Sequence, residues 1–79
     1  MEPRRYEVLL EAGEWFATAL VEVLGHLEPV VVGGRRGERR IAVMVVAGSE
    51  REAAEYVRRA IYREGIHPAG WKLLGAVDP

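Results

Sequence analysis

Few side chains in this sequence could serve as nucleophile, base or ligand. Ser49 is the only serine and Thr18 the only threonine. A serine nucleophile needs a base within hydrogen-bond reach and an acid that orients that base. His26 and His67 are far apart in the chain, and neither sits in a motif with a partner. Ser49 also has a structural role at hand. It opens Ser49-Glu50-Arg51-Glu52, the pattern of a capping box. There the hydroxyl accepts from the Glu52 amide and the Glu52 carboxylate reaches back to the Ser49 amide. No catalytic residue is therefore assigned.

A metal site would draw on His26, His67 and the glutamates. Glu22 and His26 stand four apart, close enough on a helix to share one ion. A divalent ion wants three or four converging ligands, and two on a solvated helix face fall short. No metal and no cofactor is expected. Arg35-Arg36-Gly37-Glu38-Arg39-Arg40 gives the richest charge cluster. Arg35, Arg36, Arg39 and Arg40 are candidate phosphate contacts, because guanidinium forks grip phosphate oxygens in pairs. The competing reading is a solubilising turn whose charges keep an edge strand from pairing with other chains. The chain as a whole carries 11 basic and 12 acidic side chains, a net charge of -1. That balance favours the turn and speaks against a nucleic-acid partner.

Composition narrows the classes further. With no cysteine there is no disulfide, thiolate site or thiol redox chemistry. Met1-Glu2-Pro3-Arg4-Arg5 lacks the apolar core of a signal peptide. No stretch approaches the ~20 apolar residues of a spanning helix. A soluble, cytoplasmic protein of one domain over residues 1–79, with no membrane partner, is the expectation. Asn and Gln are absent, and arginine outnumbers lysine 10 to 1. Few deamidating amides and many ions is a tendency of thermophile proteins, although a GC-rich genome also favours arginine.

Arg39 to Ile66 is the best-specified stretch among the elements that must position these residues. Ile41-Ala42-Val43-Met44-Val45-Val46-Ala47 is short, apolar and rich in β-branched residues, hence a buried strand. Gly48 breaks it. Behind the Ser49 cap, Ala53, Val57, Ala60 and Ile61 recur at helical spacing, and Gly65 ends the helix. Arg5 to Ala12 alternates as a half-buried strand, with Tyr6, Val8 and Leu10 on one face and Glu7, Leu9 and Glu11 on the other.

Two readings stand for Glu14 to Glu28. As a helix it presents Phe16, Ala19, Leu20, Val23, Leu24 and Leu27 on one stripe, without a good side-chain cap at its start. As a strand it would turn back at Ala12-Gly13, giving a β-rich α+β fold with residues 15–24 extended. The helix is preferred because Leu10-Glu11-Ala12-Gly13-Glu14 parallels Val45-Val46-Ala47-Gly48-Ser49-Glu50, where a strand runs into a helix. Pro29-Val30-Val31-Val32 reads as a short strand, turned through Gly33–Glu38 into the next. Trp71 to Val77 is a final strand.

The order is β-α-β-β-α-β, with the first and third strands central in an antiparallel four-stranded sheet and both helices on one face. This resembles the ferredoxin-like split-βαβ fold, which hosts many functions. RNA-recognition motifs carry aromatics on the central strands, where this chain has Arg40, Ala42, Met44 and Val46. The cysteine pair of heavy-metal-associated domains and the asparagine of acylphosphatases are missing. Glu11-Ala12-Gly13-Glu14 faintly echoes the Gly-bearing loop of amino-acid-binding regulatory domains.

If Ile41, Val43 and Val45 face the helices, Leu9, Ala42, Met44, Val46 and Leu74 form an apolar centre on the other sheet face. Lys72, Leu74 and Ala76 are expected on that side of the last strand, opposite Trp71 and Leu73. The expectation is a homo-oligomeric module, a dimer in its simplest form, binding itself, with another protein as the further partner, and with no catalysis of its own. The alternatives are phosphate or nucleic-acid contact through residues 35–40, and a ligand-sensing regulatory domain or small enzyme with its pocket at a subunit interface.

Overall fold

A computed structural model describes residues 2–66 and 68–78. Its elements are β1 (Arg4–Gly13), α1 (Glu14–Val23), β2 (Val30–Gly33), β3 (Glu38–Ala47), α2 (Glu50–Arg63) and β4 (Trp71–Val77), with single 3-10 turns at Gly25–Leu27 and Pro68–Gly70. The four strands form one antiparallel sheet in the order β2-β3-β1-β4. Both helices contribute to a single core against one side of that sheet. Val8, Leu10, Ile41 and Val43 from the central strands meet Leu20 and Leu24, and Val57 and Ile61, all fully buried. Each such side chain contributes on the order of 1.5–3 kcal/mol.

Residues 15–23 are helical, so the β-rich alternative is not the fold. The helix is shorter than the stripe suggested. It ends at Val23, Leu24 caps it and Gly25–Leu27 continue as a 3-10 turn. Ala17 rather than Ala19 joins Leu20 in the buried set, and Phe16 is only half-buried. As the sequence suggests, Gly13 offers no side-chain cap. The first helical amide is met from elsewhere: Glu14 N–H donates to the Gly37 carbonyl at 3.0 Å. The β2–β3 turn thus supplies a backbone acceptor to one of the orphan donors of the helix end.

The α2 cap is built nearly as its four residues imply. Glu52 N–H donates to Ser49 Oγ at 3.2 Å. The reciprocal half differs, because Glu52 Oε2 accepts from the Gly48 amide at 2.8 Å, not from Ser49. Ser49 sits fully extended at φ -157°, which leaves the Gly48 amide within the carboxylate's reach. At the other end Gly65, at φ +75°, donates to the Tyr62 carbonyl at 3.0 Å, a left-handed terminator.

The last strand departs from simple alternation. Leu10 pairs with Leu73 but Leu9 pairs with Gly75, so Leu74 is an extra residue in β4. Beyond this bulge the parity reverses. Ala76 opposes Val8 and packs on the core, not on the open face, and Val77 takes the open side opposite Glu7. Gly75 has φ +144°, a region essentially reserved for glycine.

Candidate functional site

The open side of the sheet can be read off the strand register. One row across it is Val30, Ala42, Leu9 and Gly75. The next row toward the Ala47 end of β3 is Met44, Glu7 and Val77, followed by Val46 and Arg5. In the other direction lies a charged row, Arg40, Glu11 and Lys72. Among the described residues no helix covers this side, since both helices pack their buried residues into the core beneath.

Leu9, Ala42, Met44 and Val46 therefore share one face, as their alternation implies. Leu74 lies at the bulge, 41% exposed and outside the core. Val46 is 67% exposed, whereas Ala42 is nearly covered by its strand neighbours. Val30 and Val77 belong to the same apolar surface and are both exposed. Neither was visible in the strand pattern alone. Val30 depends on how β2 registers on β3, and Val77 depends on the bulge.

The four candidate phosphate arginines are not gathered into one cluster. Arg40 lies on the open face, where its Nε donates to Glu11 Oε2 at 3.2 Å. Arg39 points the other way, opposite Ala12, and pairs with Glu14 at 3.1 Å while donating to the Glu38 carbonyl at 2.9 Å. Arg35 and Arg36 are exposed in the turn. Arg39 and Arg40 are thus held by carboxylates on opposite sides of the sheet. Exposed pairs of this kind contribute roughly 0–1 kcal/mol each.

The remaining candidates do not converge either. Ser49 is engaged as a cap. Glu22 is in α1 but His26 is in the following 3-10 turn, so the helical four-residue spacing between them is lost. His67 lies outside the described residues. Among the described residues no three His, Asp or Glu side chains gather as a metal would need. A shallow groove runs along α2 beside the end of α1, lined by Tyr56, Arg59, Arg63, Glu52 and His26 among others. Its acids and bases are interleaved. Among the described residues no helix is long and apolar enough to cross a membrane.

In comparison with known proteins, the chain matches no family model, no curated protein and no solved structure at a significant level.

Proposed function

We propose that this chain is a small protein-interaction module that associates with itself through the open face of its sheet and has no catalytic activity of its own. Its element order, with β1 and β3 central, is read as a ferredoxin-like arrangement acting in the cytoplasm. One observation carries the reading: an apolar surface of Leu9, Ala42, Met44, Val46 and Val30, with Val77 on the far side of Glu7, that nothing among the described residues covers. Arg40, Glu11 and Lys72 lie at one end, Arg5 at the other, and Glu7 stands within it between Met44 and Val77. Apolar patches of more than a few hundred Å² are rare on monomers and mark contact sites. An apolar centre within a polar rim is the pattern of an interface. At ~4.8 Å between strands and ~3.3 Å per residue, these strands present on the order of 500 Å² in projection. That is the scale of a small interface, below the ~800 Å² per partner of a standard one.

The occupant that fits best is a second copy, because twofold self-association is the commonest way to cover such a face. Light scattering at micromolar concentration should give the mass of at least a dimer. Met44→Glu would bury a carboxylate in the apolar surface, and a monomer is the expected result. A wild-type monomer whose stability Met44→Glu leaves unchanged would overturn the reading.

A further inference from the structure

We infer that two copies pair about a twofold axis that runs along the strands, between β1 and β3, so that β1 of each lies over β3 of the other. This rests on the reading that a second copy covers the open face. It goes further by fixing which of the possible twofold axes is used.

Two simple axes lie in the plane of a face-to-face pair. An axis along the strands keeps each cross-strand row opposite itself and exchanges β1 with β3. In that arrangement Glu11 faces the partner's Arg40, and Arg40 faces the partner's Glu11. The intrachain pair at 3.2 Å then stacks on its symmetry mate, and four charges alternate in sign around a closed ring. In the next row Leu9 meets the partner's Ala42. That is a long side chain over a small one, because Ala42 presents only a methyl group between Leu9 and Val30. In the row beyond, Glu7 faces the partner's Met44, the one contact in this arrangement that sets a carboxylate on an apolar side chain.

An axis across the strands, along the Leu9 row, places each strand over its own copy with direction reversed. Glu7 of one copy then faces Glu11 of the other, in both symmetry-related positions. Like charges directly opposed across a closing interface are destabilising. Leu9 would meet Leu9, and Val77 would meet Lys72. The Glu11–Arg40 row and the Leu9–Ala42 row favour the first axis over a crossed axis on the Leu9 row.

Charge reversal with mixing tests the assignment. Glu11→Arg places like charges opposite each other in its own homodimer, and so does Arg40→Glu. Each variant alone should self-associate at least tenfold more weakly than the wild type. Mixed in equal amounts, they should form a heterodimer with near wild-type affinity, because position 11 of each then faces an opposite charge at position 40 of the other. Under the crossed axis, the Glu11 retained in Arg40→Glu still faces a glutamate at position 7, and mixing rescues nothing.

A second readout stands even if the reversals disturb folding. The chain has no cysteine, so Glu7→Cys, Glu11→Cys and Arg40→Cys can each be made as single-thiol proteins. A short bismaleimide should join Glu11→Cys to Arg40→Cys when they are mixed, and should give little 7-to-11 product from mixed Glu7→Cys and Glu11→Cys, whose rows lie about 13 Å apart along the strands. Efficient 7-to-11 linkage, or a wild-type dimer whose reversed variants are not rescued by mixing, overturns the axis while leaving the dimer intact. A wild-type monomer instead overturns the open-face reading beneath it.

Discussion

At the scale of single residues, Ser49 shows how one side chain can use up its chemistry in structure. Its hydroxyl accepts the Glu52 amide, and Glu52 returns the favour one residue earlier, at Gly48. Removing the acceptor leaves an amide at the α2 N-terminus without its partner. Ser49→Ala should therefore lower stability by about 0.5–2 kcal/mol, measured as a shift in the urea midpoint with an unchanged slope. The cap was legible in the sequence because it is local: four consecutive residues carry all of it. The Arg40–Glu11 and Arg39–Glu14 pairs were not legible. Each joins residues 25 or more apart, and only the strand register brings them together. For the same reason Arg35, Arg36, Arg39 and Arg40 looked like one cluster, although Arg39 and Arg40 serve opposite sides of the sheet.

At the scale of elements, the two helices and four strands follow from periodicity, but the departures all arise where the chain meets a neighbour. The α1 amide that lacks a side-chain cap takes the Gly37 carbonyl, a contact no local pattern encodes. The bulge in β4 is the clearest case. Leu73-Leu74-Gly75-Ala76 reads as plain alternation, and the shift appears only when β4 registers on β1. Gly75 makes it possible by adopting φ +144°. A Cβ there would meet nothing within 4 Å in its own chain, so within one chain the cost of Gly75→Ala is conformational, about 1–3 kcal/mol. Thermal unfolding of Gly75→Ala against Gly25→Ala, a glycine that also has open space around it but no positive φ, isolates that term. Equal midpoints would show that the bulge tolerates a side chain. The β2–β3 turn yields a second expectation at this scale. With Arg39 and Arg40 paired to carboxylates, only Arg35 and Arg36 of the set remain to meet a phosphate. Short RNA should bind no tighter than high micromolar at physiological salt, and any binding should fall steeply as salt rises. Fluorescence anisotropy would reveal micromolar binding lost on replacing all four arginines, which would restore the phosphate reading.

At the scale of the whole molecule, the question is what a chain of 79 residues does with two faces of one sheet. A domain this small buries a modest share of its surface, and its stability is correspondingly marginal. One face is spent on the helices. If the other is covered by a second copy, association and folding are linked, and the transition becomes two unfolded chains against one folded dimer. Stability then depends on protein concentration. Each tenfold rise in concentration adds about 1.4 kcal/mol per dimer. Spread over the unfolding entropy of two chains, roughly 2.1 cal/mol/K per residue, that raises the thermal midpoint by about 4 °C. Calorimetry over a hundredfold range should thus show a climb of about 8 °C for the wild type. Met44→Glu should show a lower and concentration-independent midpoint, because its association is lost while the core beneath β3 is untouched. A wild-type midpoint that stays fixed across that range would mean that folding owes nothing to the open face, and would leave the apolar surface without the role assigned to it.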